Sequence, residues 1–182
     1  MTVAGSDSGA GAGIQADILA IAANGVYACS VVTALTAQNP DGVYGVLPAG
    51  PESVEAQMKA VADFYSPEAA KTGMLFDAQT VAAVAKFFKA NRKIKLVVDP
   101  VAVSTSGAKL LSDDAVEALK NSLIPISDLF TPNIDEAKML LGADTIEDTT
   151  DAAEALYKKF SAPVLLKGGH LEGDTVSDIF FG

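Results

Sequence analysis

Apolar residues along this chain fall into two patterns, short continuous runs and longer stretches in which they recur every three or four positions. The first is the signature of strands buried on both faces, the second of amphipathic helices. Thr2 to Ala4 reads as a strand, and Ile14, Ile18, Leu19 and Ile21 mark a helix that stops at Asn24-Gly25. Val26 to Leu35 is almost continuously apolar and reads as a buried strand. Pro51 then opens a helix carrying Val54, Met58, Val61 and Phe64 on its apolar side. Ala69 to Thr72 is a brief strand ending at Gly73-Met74. A helix with Val81, Val84, Ala85 and Phe88 follows, and Ile94 to Val98 is a strand that stops at Asp99-Pro100. Beyond a polar loop over Ser104 to Leu111, the pattern predicts a helix from Asp113 to Leu123 and a strand from Leu129 to Thr131. Helices over Asn133 to Leu141 and Thr150 to Phe160, and strands over Val164 to Lys167 and Thr175 to Phe181, complete the chain.

Strand and helix thus alternate throughout, with no internal repeat and no linker. Repeated strand–helix–strand units with right-handed crossovers predict a three-layer α/β/α sandwich around a mostly parallel central sheet, one domain over residues 1–182. In such sheets ligands bind outside the carboxyl ends of the strands. The polar punctuation falls at those ends: Gly5 to Asp17, Thr36 to Asn39, Thr72 to Met74, Asp99, Thr131 to Asn133, and Lys167 to His170.

Composition narrows the class of function. Apolar residues make up 49% and charged residues 20% of the 182, a globular profile, and a chain of this length buries about 70% of its unfolded surface. With 13 Lys plus Arg against 23 Asp plus Glu, the formal net charge is −10, and no basic cluster stands out. That balance argues against nucleic acid or an anionic membrane as partner. Cys29 is the single cysteine, so no internal disulfide forms, and its apolar surroundings predict a buried structural thiol. The chain opens on a strand without a signal-like segment, and no apolar run approaches the roughly 18 residues of a membrane span. A cytoplasmic enzyme is the expectation.

The glycine-rich stretch Gly5 to Gly13, between the first strand and the first helix, is the obvious candidate for chemistry. Glycines let a ligand approach the backbone, and the helix start presents unpaired N–H groups. A nucleotide P-loop requires G-x-x-x-x-G-K-S/T, and neither Gly-Lys-Ser nor Gly-Lys-Thr occurs. A dinucleotide fingerprint requires a third glycine where Ile14 stands and an acid after the second strand, where Leu35-Thr36-Ala37-Gln38 stands. Both are excluded; spacing alone leaves a plain tight turn and a ligand cradle equally open.

The segments AGSDSGAGAGIQAD, VVTALTAQN, KTGML, VVDPV, TPNIDEAKMLLG and LLKGGHLEGD, in this order, carry a resemblance over the whole chain. They are similar to the hydroxymethylpyrimidine and phosphomethylpyrimidine kinases of thiamine biosynthesis, members of the ribokinase-like superfamily and relatives of pyridoxal kinase. The resemblance implies phosphorylation of hydroxymethylpyrimidine and its monophosphate, with ATP and Mg²⁺ as cofactors, a small-molecule partner and a homo-oligomer. It implies a substrate pocket in which Gly5 and Asp17 flank the hydroxymethyl end, Gln38 meets the pyrimidine edge, and Met74 and Val101 border the ring. It also places Asp99, Asn133 and Lys167 at the ATP phosphates, and Glu136 with Asp99 at the metal. The residue types suit those roles: an amide offers both a donor and an acceptor to an aminopyrimidine, and a carboxylate accepts from a hydroxyl. Each also has a plainer reading. Asp17 is a favourable charge near a helix N-terminus, Gln38 a solvated loop residue, Lys167 a snorkelling strand-end lysine. Asn133 with Glu136 is a capping box. His170, the single histidine, is read as a loop residue without chemistry.

Two departures from the family pattern bear on activity. The family's anion hole and general base lie in a glycine-rich segment beyond the position of Gly182, so no catalytic residue is assigned within the chain. The expectation is a ribokinase-like domain lacking its C-terminal portion, with little turnover, since lost anion donors alone typically reduce rate by roughly 10²–10³. Ser8-Gly9-Ala10 stands where relatives often carry Pro-Ser-Gly, which predicts a differently shaped loop. Pyridoxal or pyridoxine phosphorylation, and a non-catalytic pyrimidine-binding fragment, are the alternative functions.

Overall fold

A computed structural model describes residues 1–102, 111–169 and 176–182. Among them one eight-stranded sheet runs in the order β3-β2-β1-β4-β5-β6-β7-β8. The strands are β1 Thr2–Asp7, β2 Ser30–Asn39, β3 Gly42–Pro48, β4 Ala69–Thr72, β5 Lys95–Val98, β6 Leu129–Phe130, β7 Val164–Leu166 and β8 Ile179–Phe181. The helices are α1 Gly13–Ala23, α2 Pro51–Tyr65, α3 Ala78–Ala90, α4 Asp113–Ala118, α5 Ile134–Leu141 and α6 Thr149–Phe160. Strands β2, β1, β4, β5, β6 and β7 are parallel, and β3 and β8 run antiparallel at the two edges. The expected mostly parallel α/β architecture is the observed one.

Alternation along the strands sorts side chains onto two unlike faces. Met1, Val3, Val31, Ala70, Leu96, Val98, Phe130, Val164 and Leu166 point to one side and merge with Met58, Phe88, Leu119, Leu140 and Leu156 of the helices into a single core. Their neighbours in sequence, among them Thr2, Ala4, Lys71, Val97, Leu129 and Leu165, point to the opposite side. There α1 packs on β1 and β2, and Asp17 of α1 reaches Thr2 and Lys71. From β1 the chain steps outward to β2 through α1, then crosses back through α2 to β4 on the other flank of β1. Right-handed crossovers in opposite directions put their helices on opposite faces, and they leave a crevice at the carboxyl end of β1.

Local chemistry fixes the helix boundaries. Asp77 accepts from Thr80 N at 2.7 Å and starts α3; Asp148 accepts from Thr150 N and Asp151 N and starts α6. Asn133 and Glu136 form a complete capping box at α5, which ends on Gly142 in the left-handed conformation (φ 72°).

Several sequence expectations need correction. The run from Val26 does not become a strand until Ser30; Val26 and Tyr27 are exposed, and Cys29 is half-buried at the edge of the core rather than enclosed. Strand β2 also runs on to Asn39 and turns at Asn39-Pro40-Asp41-Gly42 into β3, a hairpin that the apolar count passed over. Phe64, assigned to the apolar side of α2, is 81% exposed, and the buried residues of that helix are Val54 and Met58. The helix expected to Leu123 is α-helical to Ala118, continues as a π turn over Leu119–Leu123 and closes as a 3-10 turn at Ile124–Ile126, where Pro125 interrupts it. The last strand begins at Ile179. The polar loop expected at Ser104 to Leu111, apart from Leu111, and His170 with the expected start of the last strand at Thr175 lie outside the described residues.

Candidate active site

The glycine-rich stretch is held open by one carboxylate. Asp7, 5% exposed at the end of β1, accepts from Gly9 N through Oδ1 and from Ala12 N through Oδ2, both at 2.8 Å. Its own N–H donates to Gln15 Oε1 at 2.9 Å, and Gln15 Nε2 donates to Ser6 Oγ at 2.7 Å. Gly13 starts α1 at φ 61°, and a Cβ there would collide with the Gly5 carbonyl oxygen, so glycine is required. Ala10 takes a left-handed φ of 59° without that freedom. The departure from Pro-Ser-Gly has a structural use: Ser8 Oγ accepts from Gln38 N at 2.8 Å and donates to Gln38 O at 2.7 Å. This reciprocal clasp fastens the loop to the end of β2.

Inside this frame a cavity of about 270 Å³ opens at the carboxyl ends of the strands, close to the lower limit of small-ligand pockets. Gly5, Asp17, Gln38, Met74, Asp99 and Val101 all line it. They come from β1, α1, β2 and the segments after β4 and β5, so the fold gathers residues distant in sequence. Met74 folds over Gly5 so closely that a Cβ on Gly5 would lie 2.6 Å from Met74 Cε. Thr36 Oγ1 donates to the Ser6 carbonyl at 2.9 Å and lies 3.4 Å from Gln38 Oε1, steering the amide toward the cavity wall.

Sequence reasoning missed the cation of this site. Lys71, on β4, places Nζ 3.2 Å from Asp17 Oδ1 and 3.3 Å from Asp17 Oδ2, and 3.9 Å from Asp99 Oδ2. The Thr2 hydroxyl, fully buried, donates to Asp17 Oδ2 at 2.5 Å. Asp99 Oδ1 in turn takes Lys167 Nζ at 2.9 Å, with Thr131 Oγ1 at 3.4 Å. A line of alternating charge, Asp17–Lys71–Asp99–Lys167, therefore crosses the strand ends. The available signal was a lysine inside a short strand of otherwise apolar or small residues, Ala69-Ala70-Lys71-Thr72. A buried strand carries a charge there only if a partner waits for it.

Asn133, Lys167 and Glu136 sit beside the cavity rather than on its wall, with Asp99 as the link. Asn133 and Lys167 pair as a parallel bridge. Glu136, 4% exposed, is spent on the capping box: Oε2 accepts from Asn133 N at 2.8 Å. Burial raises its carboxyl above the ordinary value of 4.5, and the Asn133 N–H and, after it, nearby Lys167 only partly counter that. Among the described residues no group of three or more His, Cys, Asp or Glu is arranged as a ready metal cage, and no helix is long and apolar enough to cross a membrane.

Comparison with known proteins gives a consistent result. Residues 7–182 match the family described as phosphomethylpyrimidine kinase. The chain is 45% identical to the hydroxymethylpyrimidine/phosphomethylpyrimidine kinase of Rhizobium meliloti over 184 residues, covering 100% of this chain and 69% of that protein. It is 46% identical over 185 residues to a bifunctional thiamine-biosynthesis protein of Geobacter sulfurreducens, again covering 100% of this chain but 38% of the relative. The crystal structure of phosphomethylpyrimidine kinase from Clostridium difficile 630 superposes with a TM-score of 0.90 at 40% identity, covering 100% of this chain and 79% of that one. The chain thus spans about two thirds of a single-function relative and well under half of a fused one. With the family match running over residues 7–182 and the fold shared with a solved phosphomethylpyrimidine kinase, the chain belongs to the phosphomethylpyrimidine kinase family.

Proposed function

We propose that this chain carries the substrate half and part of the phosphate half of a kinase that phosphorylates hydroxymethylpyrimidine and its monophosphate. One observation carries the reading: Gly5, Asp17, Gln38, Met74 and Val101, from β1, α1, β2 and the segments after β4 and β5, line one cavity that Asp99 joins to Lys167. The Gln38 amide offers a donor and an acceptor to the aminopyrimidine edge, and Met74 supplies an apolar surface for the ring. Asp17 accepts from the hydroxymethyl group. Asp99 and Lys167 face the phosphates, where catalysis in this reaction class is mostly positioning and charge neutralisation.

ATP supplies the phosphoryl group, and magnesium offsets its charge. Magnesium takes one or two carboxylates together with waters and phosphate oxygens, so a site without a full protein cage suits it. Asp99 is the better-placed ligand, since its side chain is 24% exposed on the cavity wall. Glu136 is buried and committed to its cap, which leaves it a role in ordering Asn133.

Calorimetric titration of hydroxymethylpyrimidine into the chain, beside Gln38→Ala, tests the reading. Saturable binding is expected, weakened at least about tenfold by the substitution, the loss of one good polar contact. Pyridoxal in the same cell serves as the competing substrate. Absence of heat from a folded chain, or tighter binding of pyridoxal, overturns the assignment.

A further inference from the structure

We propose that Lys71 is the specificity residue that admits the monophosphate to a pocket otherwise built for the alcohol, a reading that rests on the pyrimidine-kinase function proposed above. The cavity wall is acidic. Among its described residues Asp7, Asp17 and Asp99 are carboxylates, and Lys71 is the one cation. An uncharged hydroxymethyl group meets no electrostatic objection there. A phosphate on the same methylene carries close to two negative charges and stands beside Asp17. Without a local ammonium the two like charges would expel it.

The geometry gives Lys71 the means to change partners. Its Nζ lies nearly equidistant from both Asp17 oxygens and 3.9 Å from Asp99, and its side chain is 28% exposed. Room for the movement comes from Gly73: a Cβ on that residue would lie 3.2 Å from Lys71 Nζ and 3.0 Å from Ala4 Cβ. Asp17 does not depend on the ammonium alone, because the buried Thr2 hydroxyl holds Oδ2 from the other side. The carboxylate therefore stays in place while the ammonium turns to a phosphate oxygen. Lys167, the next cation along the line, lies beyond Asp99 and outside the cavity wall, so it serves the transferred phosphoryl group. With the alcohol bound, Lys71 neutralises Asp17; with the monophosphate bound, it bridges carboxylate and phosphate.

The test is a ratio of affinities, measured calorimetrically for hydroxymethylpyrimidine and its monophosphate. The parent chain is compared with Lys71→Met, Lys71→Arg and Gly73→Ala. In Lys71→Met the preference for monophosphate over alcohol should fall at least about tenfold, equivalent to about 1.4 kcal/mol. Lys71→Arg should restore it to within about threefold, because a guanidinium also pairs with phosphate oxygens. Gly73→Ala keeps the charge but takes its space, and should lower the same ratio. A Lys71 that merely balances its neighbours would weaken both ligands alike; an unchanged ratio in Lys71→Met and Gly73→Ala overturns the inference and leaves the kinase reading standing. Should Lys71→Met fail to fold, Gly73→Ala and Lys71→Arg decide the matter between them. A parent chain that binds neither ligand removes the function and this inference together.

Discussion

Asp7→Asn is the sharpest test of how the glycine-rich loop is held. The substitution keeps the shape of the side chain and exchanges one acceptor oxygen for an NH₂ group. Two backbone N–H groups, those of Gly9 and Ala12, now point at the two carboxylate oxygens at 2.8 Å. After the exchange one of them faces a donor whichever way the amide is turned. Hydrogen bonds to a charged group contribute about 1.5–3 kcal/mol each, and the surviving bond falls to the roughly 1 kcal/mol of a neutral pair. Removing a buried charge recovers part of its desolvation cost, so a net loss of about 2 kcal/mol is expected. For a chain of this size that is roughly 4–8 °C in Tm. Urea unfolding should be read beside Asp63→Asn, which breaks an exposed i,i+4 pair with Lys59 and should change stability by less than about 0.5 kcal/mol. Pyrimidine affinity, measured well below the transition, should drop as well, because Gly9 to Gly13 would no longer be fixed around the cavity. If Asp7→Asn unfolds within about 0.5 kcal/mol of the Asp63→Asn control, Asp7 does not organise the loop.

Two further substitutions test the interior. Burial raises the Glu136 carboxyl above its ordinary 4.5, so the folded chain holds that proton more tightly than the unfolded one. This contribution is present in full below the ordinary carboxylate range and is lost as pH rises through it to the folded value. Glu136→Gln, which keeps an acceptor for Asn133 N, should therefore gain stability over the parent at pH 7 and differ little at pH 4; urea midpoints at both pH values decide, and equal effects would refute it. The Thr72 hydroxyl is buried without a hydrogen-bond partner. Thr72→Val should stabilise by on the order of 1 kcal/mol in the same assay, and destabilisation would show that the hydroxyl is in use.

The parallel core of the sheet was legible in the sequence because strands covered on both faces must be apolar, and Leu96 to Val98 and Val164 to Leu166 leave little choice. The helix caps were legible for the same kind of reason: Asn133 with Glu136 is a local motif with one geometry. The β2–β3 hairpin was not. Its strand β3 buries none of its residues and is exposed from Tyr44 to Pro48, so its apolar residues carry no burial pattern, and the turn Asn39-Pro40-Asp41-Gly42 was the one local cue. The cavity residues were recognised through family motifs, whereas Lys71, Thr2 and Asp7 acquire their meaning from partners distant in sequence or from backbone groups. Lys71 lies 54 residues from Asp17, and no periodicity links them.

The clasp between Ser8 and Gln38 makes the glycine-rich loop and the root of the hairpin a single mechanical part. The hairpin extends from that root with Leu35, Tyr44 and Leu47 facing outward. Whatever presses on this arm turns Gln38 and the loop together, as a lever turns about its pivot. Any effect of the arm's position on ligand affinity is matched by an equal effect of the ligand on the arm, because linkage between two sites is reciprocal. The edge of the sheet farthest from the charged line is in this way tied to the grip on the ring.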